Sequence, residues 1–142
     1  MKPLLLLALV AALLASGCAS YQSQVDRSRP PANHQRYFVQ ANLNDNRAVA
    51  QLIASTLRTR GLTVESGPLT MMPPDTQVVV TYQERWTWDF GEHLVYLRIA
   101  LRETATGSPV ASAVFNGPVA INKDPPEVVA RLIRELLDHD RP

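Results

Sequence analysis

The sequence predicts a single α+β domain built as a two-layer sandwich, in which two helices cover one face of a mostly antiparallel sheet of about five strands. Two segments each carry one apolar stripe at helical spacing, and several others alternate apolar and polar residues as half-buried strands do. The elements follow the order β-α-β-β-β-β-α, and 142 residues are enough for one such domain.

The first part of the domain is predicted to be strand, helix, strand and loop. Residues 37–39 favour a short strand, and the helix after them ends at Gly61, which suits the left-handed position beyond a last turn. Three consecutive polar residues could each cap the start of this helix: Asn44, Asp45 and Asn46. Residues 62–66 favour a second strand, and the three prolines and two methionines of residues 67–75 indicate a loop.

A long β-hairpin is the strongest feature of the predicted sheet. Residues 77–86 alternate strictly, and residues 94–103 return antiparallel after a turn over residues 88–91 in which Gly91 takes the positive φ. The core face of the returning strand is expected to consist of Val95, Leu97, Ile99 and Leu101. The opposite face of the hairpin is expected to be solvated and to carry Thr81, Gln83, Arg85, Tyr96, Arg98 and Arg102. Residues 110–115 favour the last strand.

The C-terminal segment is predicted to be the second helix. Pro125 favours an extended Asp124 as N-cap, and Glu127 stands three residues after Asp124 as in a capping box. Six apolar residues then form one continuous stripe: Val128, Val129, Leu132, Ile133, Leu136 and Leu137. We expect this stripe to pack on the sheet.

Composition and charge exclude some classes of function. The chain has 14 basic and 13 acidic residues, and removal of residues 1–17 takes away Lys2 and no other charge. The remaining chain is formally neutral, so the clustered basic charge of a nucleic-acid-binding protein is missing. No disulfide within the chain is possible, because Cys18 is the only cysteine.

The N-terminal 17 residues indicate an export signal. One lysine precedes a wholly apolar run over residues 4–14, which is too short to cross a bilayer as a helix because that takes about 20 residues. Small residues then lead to Cys18. An ordinary secretory signal with an incidental cysteine is the alternative, but an unused lone thiol is a liability in an oxidising compartment.

Residues 14–18, Leu-Ala-Ser-Gly-Cys, resemble the lipobox of bacterial lipoproteins, with Ala15 in place of the preferred larger aliphatic residue. The resemblance implies cleavage after residue 17, a diacylglycerol on the Cys18 thiol and acylation of the freed amine. Ala19 is not the aspartate that would retain such a protein in the inner membrane. The resemblance therefore implies the outer membrane, with the protein facing the periplasm.

The segment after the cysteine is predicted to be a tether. Residues 18–35 are polar, show no hydrophobic period and include the pair Pro30-Pro31. We therefore expect a lipidated N-terminus on a flexible tether, which lets one periplasmic domain over residues 36–142 stand off the membrane. An additional edge strand near Tyr21 is the alternative.

Short motifs in the hairpin and in the turn after it are Val80-Thr81-Tyr82, Trp86-Thr87-Trp88-Asp89, Tyr96-Leu97 and Thr106-Gly107. They resemble those of a group of small uncharacterised bacterial lipoproteins of the outer membrane, over residues 36–137. The resemblance implies a single periplasmic α+β domain and assigns no chemistry. The layout is also similar to that of lipoproteins that modulate cell-wall synthases and of lipid-transport auxiliary lipoproteins.

The sequence indicates no catalytic, metal or cofactor site. Asp89-Phe90-Gly91 spells a kinase magnesium motif, but the chain lacks the other kinase signatures, so we interpret it as a turn. The three histidines are His34, His93 and His139, and none has a second ligand at helical spacing. Glu84 and Glu92 could approach across the hairpin, where a surface charge is more common than acid–base catalysis. We expect a protein that is not an enzyme.

An aromatic cluster, Trp86, Trp88 and Phe90, lies at the hairpin turn. In one interpretation Trp86 caps the end of the core while Trp88 and Phe90 close the hairpin by cross-strand contacts. In the other, the cluster is an exposed tip that binds a partner protein, a glycan or a lipid, because such side chains dominate binding hot spots. We expect Trp86 to be largely buried and Trp88 or Phe90 to be more exposed.

These features together predict a lipid-anchored, non-enzymatic periplasmic protein that binds another envelope component, such as a protein or a glycan. The alternative is a carrier or sensor of a small apolar ligand held between helices and sheet, with Met71 and Met72 as an adaptable lid. An apolar cavity beneath the helices would favour the carrier, and a filled core would favour the binding protein.

Overall fold

The computed structural model describes residues 18–118 and 123–138. The predicted signal peptide and its predicted cleavage point, His139 and the C-terminal tail lie outside these ranges. The strands, in chain order, are β1 Ser20–Val25, β2 Arg36–Gln40, β3 Thr63–Gly67, β4 Val78–Trp88, β5 Glu92–Glu103 and β6 Pro109–Asn116. The helices are α1 Val49–Thr59 and α2 Pro125–Leu137, and single 3₁₀ turns cover Pro31–Asn33 and Leu69–Met71.

One mixed six-stranded sheet forms the first layer of the fold. Its strand order is β1-β6-β5-β4-β2-β3, and β2 is parallel to both β3 and β4 while the other neighbours are antiparallel. The helix α1 packs on β2 and β3, and α2 packs on β6, β1 and β5, with the two helices in contact. The predicted two-layer α+β sandwich is thus confirmed, with one strand more than expected.

The additional strand is β1, and it corrects the prediction of a flexible tether over residues 18–35. All six residues of β1 pair with β6, and the Tyr21 ring packs against Phe115 at a centroid distance of 5.1 Å. The segment after β1 is also held, because Pro31 is buried and its carbonyl accepts a hydrogen bond of 2.8 Å from the Tyr37 hydroxyl. The strand was not the favoured prediction because an edge strand can be stabilised by main-chain hydrogen bonds, which need no recognisable pattern in its own side chains.

The core lies between the sheet and the apolar stripes of the two helices. In α2 the stripe is buried as predicted, with Leu132 and Ile133 no more than 1% exposed, while Leu137 is half-buried. The outer face of the hairpin is solvated as expected, and there the Arg85 guanidinium lies 5.2 Å from the centre of the Tyr96 ring. The two layers therefore bury their apolar faces against each other.

A β-bulge in the hairpin corrects the predicted core face of β5. Trp86 pairs with Leu94 and Arg85 pairs with Tyr96, so Val95 is an extra residue without a partner on β4. One inserted residue reverses the alternation, because successive side chains point to opposite faces. Leu94 is consequently buried in the core, and Val95 is only half-buried.

Both helix starts differ from the predicted caps. Helix α1 begins at Val49, later than expected, after Ala48 in a left-handed conformation with φ of 54°. Asp45 nevertheless caps it, because its carboxylate accepts hydrogen bonds of 2.8 Å from the backbone N–H groups of Val49 and Ala50. Asp124 is the N-cap of α2 as predicted, but its side chain makes no capping hydrogen bond. Gly61 has the predicted positive φ, at 83°.

Candidate interaction site at the hairpin end of the sheet

The β4–β5 turn defines one end of the sheet, which we call the hairpin end. Strand β6 runs in the same direction as β4 and finishes there, and β1 starts there. Strands β2 and β3 also run in this direction but end level with Thr81, about 23 Å short of Trp88. Residues 18–19, 89–91 and 117–118 therefore lie at this end, and the loop over residues 41–48 reaches it through Arg47, which binds Glu92. They bring together parts of the chain that are far apart in sequence.

The tip of the hairpin presents two exposed aromatic side chains. Trp88 is 75% exposed and Phe90 is 103% exposed, so the expectation that these two are the more accessible members of the cluster is confirmed. Phe90 also has a left-handed backbone, with φ of 53°. This conformation is unusual for a bulky residue and costs about 1–2 kcal/mol. The turn therefore holds a large apolar side chain in solvent at some cost to stability.

Trp86 behaves differently from the tip residues. It is half-buried, packs against the edge of the core and donates a hydrogen bond of 2.9 Å from Nε1 to Glu84 Oε2. The Arg47 guanidinium lies 4.8 Å from the centre of its ring, in a cation–π contact. Trp86 is therefore mainly a structural residue at the base of the tip.

Several contacts hold the hairpin turn in place. The Asp89 backbone N–H donates to the Gly91 carbonyl at 3.0 Å, and the Asp89 carbonyl is 2.8 Å from His93 Nε2. Arg47 binds Glu92 through two hydrogen bonds of 2.5 and 3.1 Å. These bonds lower the pKa of the Glu92 carboxyl and raise the pKa of the Arg47 guanidinium. The loop before α1 is thus joined to the hairpin.

A second connection between this loop and the sheet is formed by Tyr82. Its hydroxyl donates to Asp45 Oδ2 at 2.9 Å and accepts from the Asn42 N–H at 3.1 Å. Burial raises the pKa of Tyr82. Burial also acts to raise the pKa of Asp45, but its hydrogen bonds from the Ala50, Val49 and Tyr82 donors outweigh this and lower it. The Asp45 carboxylate therefore links the start of α1 to the centre of β4.

Further exposed apolar residues follow β2 and β3, short of the hairpin tip. Leu43, in the loop after β2, is 101% exposed, and Leu69 and Met71, directly after β3, are 50% and 68% exposed. Leu43 and Leu69 were not predicted as candidate site residues. The sequence signal available for Leu43 is a single leucine within a run of polar, helix-capping residues.

Cys18 is exposed and also lies at the hairpin end. Only Ala19 separates it from Ser20, the first residue of β1, which pairs with Asn116 at the end of β6. The candidate lipidation site and the candidate binding tip, 70 residues apart in sequence, therefore lie at the same end of the sheet. Sequence reasoning treated them as independent.

The remaining candidate residues do not form a site together. Glu84 pairs with Leu97 and Glu92 pairs with Trp88 across the ladder, so these two carboxylates do not face each other. His34 lies 3.6 Å from Glu103, at the opposite end of the sheet from the tip. Within residues 18–118 and 123–138, no group of three or more histidine, cysteine or carboxylate side chains could hold a metal ion, and no helix is long and apolar enough to cross a membrane.

A shallow groove of about 600 Å³ lies on the outer face of the hairpin. It is lined mainly by polar side chains, among them Gln83, Arg98 and Arg102, and Met71 and Met72 are not part of its lining. An apolar ligand would leave such polar groups without hydrogen-bond partners. The groove is therefore not the apolar pocket that a carrier requires.

The fold is similar to that of several solved structures. PelC from Paraburkholderia phytofirmans, a dodecamer in two crystal forms, is 18% identical, with TM-scores of 0.58 and 0.57 over 84% of this chain and 95% of its own. A PDZ domain protein from Parabacteroides distasonis is 9% identical, with a TM-score of 0.55 over 95% of this chain and 39% of its own. At these identities the likeness shows a shared fold alone.

A minor lipoprotein from Acinetobacter baumannii is similar more distantly, at 14% identity and a TM-score of 0.36 over 77% of this chain and 86% of its own. No protein-family model matches the chain, and no curated protein sequence matches it significantly. The comparisons therefore define a fold class, an α+β sandwich of the kind found in PelC, and they leave the function to be argued from the site.

Proposed function

We propose that this chain is a lipid-anchored, non-enzymatic protein of the bacterial cell envelope. It is held through Cys18 at the periplasmic face of the outer membrane and binds another envelope component through the tip formed by Trp88 and Phe90. The observation that carries the proposal is the tip itself, which keeps two large aromatic side chains in solvent on a hairpin fixed by several hydrogen bonds. Exposed aromatic side chains on a rigid element are typical of binding surfaces.

A binding role, rather than catalysis, is supported by what the carboxylates near the tip do. Glu92 binds Arg47, Glu84 accepts from Trp86, and Asp45 caps α1 and binds Tyr82. Each of these three carboxylates is thus engaged by a structural partner, while that of Asp89 is exposed on the turn. An acid–base catalyst instead faces a cleft in which it can contact a substrate.

The anchor is tested by the variant Cys18→Ser in cells, with Ala19→Ser as the matched control. We expect wild type and Ala19→Ser in the membrane fraction, with an intact mass that includes the lipid. Cys18→Ser is expected as an uncleaved precursor or as a soluble protein. Recovery of wild-type protein from the membrane fraction with an unmodified Cys18 would contradict the proposal.

The binding tip is tested by placing a photo-crosslinking amino acid at position 90 in cells. Position 105 is the matched control, because Ala105 is exposed in the turn at the opposite end of the sheet. We expect irradiation to produce an adduct with an envelope component from position 90 and none from position 105. Equal adducts from both positions, or none from position 90, would show that the tip is not the binding surface.

A further inference from the structure

We propose that the partner of the tip is the lipid bilayer, and that Trp88 and Phe90 insert at the boundary between head groups and acyl chains of the leaflet that holds the lipid on Cys18. This inference rests on the proposed lipidation of Cys18 and names the partner of the same tip. It also assigns a single role to residues 18–19 and 88–90, which are far apart in sequence and meet at the hairpin end.

The first argument is the short distance between the anchor and the sheet. One residue, Ala19, separates Cys18 from β1, so the link spans at most about 7 Å. Strand β1 is held on one side by its ladder with β6 and on its face by Arg131 of α2, whose guanidinium lies 3.6 Å from the centre of the Tyr21 ring. A lipid on Cys18 therefore keeps the hairpin end close to the membrane surface.

The second argument is the position of the tip relative to the anchor. Three strand spacings, about 14 Å, separate β1 from β4 across the sheet. In the ladder, Ser20 lies on the row of Asn116, Tyr96 and Arg85, and Trp88 lies three residues, about 10 Å, beyond that row. Cys18 lies two residues, about 7 Å, beyond the same row. The lipid attachment point and the tip thus lie at about the same height.

The third argument is the distribution of apolar side chains. Of the five large hydrophobic residues that are exposed within the described part of the chain, only Trp88 and Phe90 lie at the height of Cys18. Leu43, Leu69 and Met71 follow β2 and β3, which end level with Thr81, about 23 Å short of Trp88. The apolar surface beside the anchor is therefore a pair of side chains on a narrow turn, which fits shallow insertion into a lipid surface better than the broad patch that a protein partner usually covers.

The charges at the tip set the depth of insertion. Asp89 is exposed between Trp88 and Phe90, and its carboxylate is expected to remain among the head groups. Behind the tip, Arg47 and Glu92 neutralise each other through their paired hydrogen bonds. Tryptophan favours this interfacial depth, because its ring is apolar and its N–H needs a polar partner. The geometry thus matches shallow insertion and not a span.

The experiment uses the full-length lipidated protein in vesicles of phosphatidylethanolamine and phosphatidylglycerol, with and without acyl chains brominated near the head group. Trp86→Phe leaves Trp88 as the only tryptophan, and Trp88→Phe leaves Trp86 as the matched control. We expect bromine to quench Trp88 at least about twofold more strongly than Trp86, because only Trp88 is placed to enter the interface. If Trp86→Phe does not fold, the difference between wild type and Trp88→Phe gives the Trp88 signal.

Flotation of the vesicles and intact mass, measured on the same samples, separate the two proposals. Protein that floats and carries the lipid but shows equal quenching of the two tryptophans overturns the membrane insertion of the tip and leaves the anchor intact. Protein that carries no lipid and does not float overturns both. Formation of a protein adduct, in place of a lipid adduct, from the crosslinker at position 90 overturns the bilayer as the partner.

Discussion

The carboxylate of Asp45 is expected to be the most important single polar group for the stability of the domain. In Asp45→Ala the first turn of α1 loses two hydrogen bonds, which costs about 0.5–2 kcal/mol. The hydroxyl of Tyr82, a residue that is 3% exposed, also loses its acceptor, which adds about 1 kcal/mol. We therefore expect Asp45→Ala to lower the free energy of unfolding by about 1.5–3 kcal/mol.

The assay is urea unfolding at pH 7, followed by circular dichroism. Asp75→Ala is the matched control, because the ion pair of Asp75 with Arg36 joins two side chains that are each 55% exposed. Such surface pairs contribute less than about 1 kcal/mol. Equal unfolding midpoints for the two variants would refute the assignment of Asp45 as a cap and link to β4.

The same group predicts a pH dependence whose sign follows from its pKa. The pKa of Asp45 is lower in the folded protein, so the unfolded chain binds more protons at acidic pH and folding becomes less favourable there. The contribution is fully present above the unfolded pKa of about 3.9 and is lost as the pH falls through the folded pKa. We expect Asp45→Asn to lose less stability than wild type over this range. Parallel curves for the two proteins would contradict this assignment.

The other predictions concern the core, a helix end and the hairpin. Leu132→Ala is expected to lower the free energy of unfolding by about 2–5 kcal/mol, because the Leu132 side chain is fully buried. Arg134 is exposed, so Arg134→Ala should lower it by less than about 0.5 kcal/mol, and chemical denaturation of the two variants compares these values. Gly61→Ala should lower the free energy of unfolding by about 1 kcal/mol, because alanine is strained at a φ of 83° while nothing lies within 4 Å of the added Cβ. A loss above about 3 kcal/mol would indicate a contact of Cβ that the structure does not show. Trp86→Ala should lower the thermal midpoint by well over 5 °C and Trp88→Ala by less than that, and equal losses would place both residues in the core.

The parts of the fold that were predictable are those in which a local pattern and a buried face agree. The stripe of α2 and the alternation of β4 each report which side of the element is buried, and the structure buries those sides. The bulge at Val95 was not predictable, because a residue of β5 is extra only relative to its pairing with β4. Leu94 and Val95 are both apolar, so the sequence does not show which of them faces the core. The strand β1 was considered only as an alternative to a tether for a similar reason, since its stability comes from backbone pairing with β6 and from the contact of Arg131 with Tyr21.

The candidate site, like the fold, has one part that was predictable from the sequence and one part that was not. The sequence by itself singled out the candidate residues, which are Cys18 in a lipobox-like segment and the aromatic residues around the turn at Gly91, since both depend on residue type and local spacing. Only the tertiary structure decided that these features share one end of the sheet. Local sequence could not show this, because the direction of each strand is set by long-range pairing. The position of Cys18 relative to the hairpin tip follows from the pairing of β1 with β6, of β6 with β5 and of β5 with β4.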